Sequence, residues 1–299
     1  SGDGSYQQVH FASTETPIYD EINDKWKVTQ YHKIDSNGDN EIQLSEALAI
    51  KYLSIGSYSS SSNNFTGLEA FLNLLHFESG ILDLSTFNFS NLLNLKSLSL
   101  GYVQFNATSI IGLSNLIYLN SSYNNLVTNL NLSSLTNLKV LKMANYNNLV
   151  SLNVSGLINL EKIIIYNTNF SGVSSAPKLT TINFSGLSSL KEIICTNNYI
   201  NTLTLTGLIN LKNLDCSTNK LTTLNLQGLS NLKDLKCNNN LLTALNFTSL
   251  INLETLIFSG NQITTETLLN LQELTNLKEL KCGNNQLEGL NISMLTNLI

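Results

Sequence analysis

The chain has 299 residues, 42% of them hydrophobic and only 12% charged, with a net charge of -5 from 16 basic and 21 acidic side chains. None of the basic residues is arginine and the lysines form no cluster, so the cationic footprint that nucleic acids or anionic membranes require is missing. No apolar run approaches the roughly 18 to 20 residues of a membrane-spanning helix; polarity is carried instead by 45 asparagines.

Residues 1 to 16 show no apolar period and read as a flexible arm. The opening SGDGSYQ has neither methionine nor signal sequence and reads as a processed or trimmed product. From Pro17 onward, Ile18, Ile22, Trp26 and Val28 or Tyr31 fall at helical spacing, which predicts a helix from about Tyr19 to His32. The following DSNGDNEIQLSE, residues 35 to 46, is the most chemically specific stretch. It resembles an EF-hand loop: Asp35, Asn37 and Asp39 stand at positions 1, 3 and 5, Glu41 offers its carbonyl at 7, Gln43 sits at 9 and Glu46 at 12. Oxygen donors at that spacing suit a hard cation with six to eight ligands, so a calcium ion (Ca2+) is the expected cofactor. Position 6 is Asn40 where glycine is the rule, and asparagine is the residue that next best tolerates the left-handed bend. The alternative is a metal-free turn through Ser36, Asn37 and Gly38, with Ser45 capping a helix from Leu44 to about Ile50.

After that helix, Leu53 and Ile55 take strand spacing, and Leu68, Phe71 and Leu74 complete a degenerate first coil whose loop is the Ser/Asn-rich run from Tyr58 to Asn64. Beyond it the chain repeats. LKNLDCSTNKLTTLNLQGLSN, residues 211 to 231, returns 21 residues later as LKDLKCNNNLLTALNFTSLIN. This LxxLxCxxNxL pattern resembles leucine-rich repeats. Leading leucines recur at Leu74, Leu95, Leu116, Leu138, Leu160, Leu190, Leu211, Leu232, Leu253 and Leu277. Leu298 opens another coil, so the natural chain is expected to continue.

The 30-residue step from Leu160 contains Pro177, which predicts a bulging loop over residues 171 to 178. The 24-residue step from Leu253 has a helical period near Thr265 to Glu273. Other return halves, such as LTTLNLQG, should be extended or form a short second strand.

Cys195, Cys216, Cys237 and Cys282 share one inward slot and read as buried free thiols, because a column of small apolar groups at strand spacing suits cysteine. A column of Asn124, Asn147, Asn198, Asn219, Asn240, Asn261 and Asn285 falls at the turn after the strand, where amides can satisfy backbone groups; Leu82, Val103 and Thr168 replace it in irregular coils. Asn-x-Ser/Thr triplets at Asn88, Asn106, Asn131, Asn153, Asn183, Asn246 and Asn291 recur with the repeat and read as its consensus. The only histidines, His10, His32 and His76, accompany no nucleophile, phosphate-cradling or zinc signature, so no enzyme is expected.

The fold class this predicts is an α/β-type repeat solenoid of mostly 21-residue units. Its parallel sheet lines a concave face, its convex face is extended or irregular, and a small helical EF-hand-like cap precedes it. Residues 1–16 are the arm, 17–67 the cap with the degenerate coil, and 68–299 the solenoid. Residues two, four and six places after each leading leucine face outward. The middle coils thereby present Tyr118, Val140, Lys142, Lys162, Ile164, Tyr166, Glu192 and Ile194, aromatics and isoleucines rimmed by charge, as a protein-contact patch. The later coils present Asp215, Asp234, Lys236, Glu279 and Lys281, and Tyr102 and Tyr123 lie at the adjoining edge. The combination resembles secreted or cell-surface proteins of the Bacteroidetes and internalin-like kind. That resemblance implies an extracellular, monomeric adhesion or interaction module with a protein ligand and no catalysis. The alternative is a glycan-binding or targeting module of a larger secreted protein.

Overall fold

A computed structural model describes residues 9–20, 25–39, 41–55, 67–80, 83–168 and 179–299. The expected loops at 58–64 and 171–178, the start of the arm, Asn40 and Leu82 lie outside the described residues. Two compact units make up the chain, residues 1–127 with 134–140, and residues 128–133 with 141–299.

In the first unit, β1 (Val9–Ser13) pairs antiparallel with β4 (Tyr52–Ile55), so the second half of the expected arm is an ordered edge strand. The expected helix from Tyr19 to His32 is replaced by an antiparallel ribbon, β2 (Ile18–Asp20) and β3 (Lys25–Lys27), with Tyr19 opposite Trp26. Its β-branched and aromatic residues favour strands, and cross-strand aromatic pairs stabilise such a ribbon. The Glu15 carboxylate accepts from the Thr29 amide at 2.9 Å and the Thr29 hydroxyl at 2.7 Å. The His32 amide donates to the Ala12 carbonyl at 2.7 Å. These bonds tie the segment to the sheet edge. The short helix α1 (Leu44–Ala49) forms as expected, although Gln43 and not Ser45 is its N-cap.

The sheet of this unit continues in parallel from β4 through β5 (His76–Ser79) and β6 (Ser97–Leu100) to β7 (Tyr118–Ser122). Alternation sends Leu53, Phe77, Leu98 and Leu119 inward in one register, and all four are buried.

The second unit repeats the plan. Its parallel strands are β8 (Val140–Ala144, of which 141–144 belong here), β9 (Lys162–Tyr166), β10 (Glu192–Ile194), β11 (Asn213–Asp215), β12 (Asp234–Lys236), β13 (Thr255–Ile257) and β14 (Glu279–Lys281). Ile163, Ile193, Leu214, Leu235 and Leu256 stack in register behind them. Short parallel pairs form in the return halves, as at Thr181–Asn183 beside Thr202–Thr204. The helix expected near Thr265 to Glu273 is a two-residue strand, Leu268–Leu269, followed by a single 3-10 turn, Leu271–Glu273. The neighbouring coil decides this: the amides of Leu245 and Phe247 donate to the carbonyls of Thr267 and Leu269, both at 3.1 Å, and only an extended segment presents them.

Asparagine is used in three ways, two between successive coils and one within each return half. In the turn column, Asn219 Nδ2 donates to the Cys195 carbonyl of the preceding coil at 2.8 Å, while its Oδ1 accepts from Ile200 at 3.1 Å. Asn240 and Asn261 repeat this pattern one and two coils on. In the coil that begins at Leu160, Thr168 stands at that position, and the adjoining buried Asn167 donates from Nδ2 to Asn198 Oδ1 at 2.7 Å. A second column, not anticipated from sequence, precedes each strand. Asn210, Asn231 and Asn252 donate to the carbonyls of Ser188, Ile209 and Ser230 at 2.9, 2.7 and 2.9 Å. The third comprises the Asn-x-Ser/Thr triplets, where Asn106 accepts from the amide and hydroxyl of Thr108, both at 3.0 Å, and Asn183 accepts from the Ser185 amide at 2.9 Å. These are Asx turns, which close the bend of the return half.

Cys195, Cys216 and Cys237 are free and buried, and Cys282 is partly so. Burial pushes the Cys237 thiol up to about 12, which leaves it protonated and unreactive. Among the described residues no helix is long and apolar enough to cross a membrane.

Candidate interaction face and calcium loop

The loop after residue 34 is closed by its own polar side chains. Asp35 Oδ1 accepts from the Gly38 amide at 2.6 Å, Asn37 Oδ1 from Asp39 at 3.0 Å, and Asp39 Oδ1 from Glu41 at 2.9 Å. Gly38 takes a φ of 78°, the left-handed conformation that this tight sequence of Asx turns needs. Glu46, only 8% exposed, reaches back from α1: its Oε1 accepts from the Ser36 amide and hydroxyl, both at 2.7 Å, and its Oε2 from the Gln43 amide at 3.1 Å. The Ser36 hydroxyl, followed by those amides, holds this carboxyl below the usual carboxylate range, so it is ionised at neutral pH.

The donor set of Asp35, Asn37, Asp39, the Glu41 carbonyl and Glu46 is all oxygen and fits a hard cation in kind. In the described conformation these oxygens face nitrogen and hydroxyl donors. Asp39 Oδ2 holds both Asn37 Nδ2 at 3.0 Å and Gln43 Nε2 at 2.5 Å. Among the described residues no three acidic, histidine or cysteine side chains converge as a metal-ligating group.

On the sheet face of the first unit, Tyr52, His76, Ser97 and Tyr118 form one column in register. Tyr118, expected to be exposed for a partner, is only 5% exposed. The ribbon of β2 and β3 folds back over it. Tyr19 packs against Tyr118 with ring centroids 5.6 Å apart, Trp26 lies 6.1 Å from His76, and Tyr31 meets Tyr52 edge-on at 6.0 Å. His76 stacks on Tyr52 at 4.6 Å and 9°, and its Nδ1 is 2.8 Å from Ser97 Oγ. Reading residues 19 to 32 as a helix hid this cover.

Val140 is half-buried at the start of β8, in the first unit. The second unit holds the other expected residues on its own sheet face. Lys142, Lys162, Ile164, Glu192 and Ile194 are half-buried, and Tyr166 is 36% exposed. Lys162 pairs across strands with Glu192 at 2.9 Å, and Ile164 stands beside Ile194. Further along, Asp215, Asp234 and Lys236 share with Glu192 and Ile194 a shallow concavity of about 250 Å³. At the entry to the strands Glu254 bridges Lys233 at 2.9 Å and Lys278 at 2.6 Å; the two ammonium groups hold its carboxyl at about 2.

Tyr102 and Tyr123, back in the first unit, stack face to face at 3.9 Å and 8°, with Tyr102 52% exposed. Both take positive φ, 46° and 59°, at the turn position that Asn197, Thr218, Asn239 and Gly260 occupy in the second unit. A bulky side chain is strained there, so these rings sit at a backbone cost of about 1 kcal/mol or more.

No family model and no curated protein sequence matches the chain. Solved structures do. The functional domain of InlJ from Listeria monocytogenes, described as including a cysteine ladder, is 22% identical over 86% of this chain with a TM-score of 0.62. A TDR receptor is 20% identical over 82% of the chain (TM-score 0.59), and TLR13 in its complex with ssRNA13 is 21% identical over 85% (TM-score 0.54). The chain spans 59% of the InlJ domain's length, 45% of the TDR receptor's and 47% of TLR13's. At these identities the likeness shows the fold, a leucine-rich-repeat β-solenoid with a parallel sheet.

Proposed function

We propose that the chain is an extracellular, non-catalytic interaction module that adheres to a protein partner through the sheet face of its second unit. The observation that carries this reading is the pairing of Ile164 with Ile194 on an open face, rimmed by Lys142, Lys162 and Glu192, with Tyr166 exposed beside them. An apolar centre inside a charged rim is the anatomy of protein contact surfaces. Internalin-type and receptor structures share the scaffold, which supports recognition over catalysis. TLR13 is seen with single-stranded RNA, but a chain without arginine is poorly equipped for phosphates.

A triple change, Ile164→Ser, Tyr166→Ser and Ile194→Ser, is expected to abolish capture of any ligand found on a panel of purified surface and matrix proteins. Because none of the three is fully buried, the thermal midpoint should move little. Undiminished capture would remove this face from consideration. A second reading, glycan binding, is favoured by the strained Tyr102–Tyr123 stack, since flat exposed rings suit pyranose faces. A glycan array run beside the protein panel separates the two, and Tyr102→Ala distinguishes the sites.

We further propose that residues 35 to 46 bind Ca2+ as a structural clamp, through Asp35, Asn37, Asp39, the Glu41 carbonyl and Glu46. The ion would supply the positive charge that the Asn37 and Gln43 amides and the Ser36 donors now supply to these oxygens. Titration calorimetry on chelator-treated protein should show about one equivalent bound, with affinity in the roughly 10⁻⁴ to 10⁻³ M band of extracellular modules. Glu46→Gln should weaken it by tenfold or more, by roughly the charge-assisted part of one ligand. No heat at several times that concentration would refute the site.

A further inference from the structure

We propose that β2 and β3 form a releasable strap, an intramolecular occupant of the first unit's sheet face, and that acidification frees it by protonating His76.

The Thr29 and His32 bonds anchor the base of the strap, while over the sheet face its strands are held by rings. Its two strands pair with each other and not with the sheet, and Tyr19 and Trp26 lie over Tyr118 and His76. Contact made through side chains can open without breaking a backbone ladder. Closure also leaves polar atoms unsatisfied. Among the described residues the buried Trp26 Nε1 and His76 Nε2 have no hydrogen-bond partner, whereas both would meet water on release.

His76 is the group whose charge state matters, because it is 2% exposed and boxed between Tyr52 and Trp26. The neutral ring suits the box, with Nδ1 engaged by the Ser97 hydroxyl of β6. A second proton places a cation against Tyr52 of β4 and Trp26 of β3; among the described residues the carboxylate in reach is Glu78 on its own strand, 3.6 Å from Nε2. The Glu78 side chain is about half exposed, so solvent screens its help. Burial accordingly pushes the covered imidazole below its ordinary value, with Glu78 offsetting only part.

The sign follows from linkage. A covered His76 titrates below the released one, so the strap is favoured above the ordinary histidine value of about 6.5 and loses ground as pH falls below it. Each pH unit in that window shifts the closed-to-released ratio by up to about tenfold.

Trp26 is the only tryptophan, so its fluorescence reports the strap alone. Acrylamide quenching compared near neutrality and about one unit below the histidine value should show the released fraction rising by up to about tenfold, while far-ultraviolet dichroism stays native. His76→Phe and His76→Asn keep a buried ring or the Ser97 bond without a titrating group, and each should hold quenching constant across that range. Constant quenching in the unaltered protein, or an equal rise in His76→Phe, overturns the proposal. Should both variants unfold, hydrogen exchange on the unaltered chain decides. Amides at 18–20 and 25–27 must lose protection in acid, beyond the intrinsic rate change, while β5 to β7 keep theirs; retained protection overturns it equally. These measurements involve no ligand, so their failure leaves the binding face of the second unit untouched.

Discussion

Asn240→Leu is expected to lower the unfolding free energy by about 3 kcal/mol, a large share of what a domain possesses. Asn240 is almost fully buried; its Nδ2 donates to the carbonyls of Cys216 at 3.1 Å and Cys237 at 3.0 Å, and its Oδ1 accepts from Leu221 at 3.1 Å. Leucine keeps the same branched skeleton but carries bulkier methyl groups, so some overpacking adds to the loss when an amide and two carbonyls lose a buried partner. The Leu221 amide left without Oδ1 costs roughly 1 to 3 kcal/mol and each carbonyl less, because Cys216 keeps its bond from Asn219 and Cys237 its bond from Asn261. The exposed column gives an internal control. Asn210→Ala removes one bond to the Ser188 carbonyl, which water can replace, and should cost less than about 1 kcal/mol. Urea unfolding of both variants, with exchange at the Leu221 amide, makes the comparison; equal losses would contradict the assignment of separate roles.

Phe258→Ala should cost about 3 to 5 kcal/mol, the range for a large buried ring replaced by a methyl group. Phe258 is fully buried in the inward slot that Cys195, Cys216, Cys237 and Cys282 occupy in other coils. Its backbone is unexceptional: the Phe258 amide donates to Lys281 at 2.9 Å, as Cys237 does to Ile257 at 2.8 Å. Only the side chain differs, so the change tests packing in isolation. A cavity beside Cys237 should also make that thiol accessible to a thiol reagent, whereas in the intact protein burial keeps it protonated. A variant of undiminished stability would mean that the coil collapses around the gap.

The solenoid was legible because its determinants are local and repeated. Leucines at fixed offsets define which side of each strand is inward, and Leu214 beside Leu235 shows the 21-residue stagger directly. The cap was not. Ile18, Ile22 and Trp26 fit a helical face, but the same segment pairs Tyr19 with Trp26 across two antiparallel strands, and spacing alone cannot separate the two over so short a stretch. That error propagated to the site. An outward position is exposed only if nothing folds over it, so the column that contains Tyr118 could be read from sequence while its burial under Tyr19 could not. In the second unit Lys162, Ile164, Glu192 and Ile194 fall on adjacent strands of one sheet face, as their offsets from the leading leucines place them. The asparagine excess was visible but only one of its three uses was; the column before the strands depends on which carbonyl lies opposite each amide, and the triplets close local Asx turns.

The turn asparagines have a consequence for how the gene can change. Asn219, Asn240 and Asn261 each reach a carbonyl 24 residues back and an amide 19 residues back, so these regular coils present identical connectors above and below. Excising or duplicating one whole coil, such as residues 211 to 231, rejoins like connectors to like. An insertion of one residue in a strand instead turns its leucine outward. The length of this array is therefore free to drift in steps of a full coil while its cross-section is fixed, which makes unequal recombination, more than point substitution, the natural source of variety in its reach.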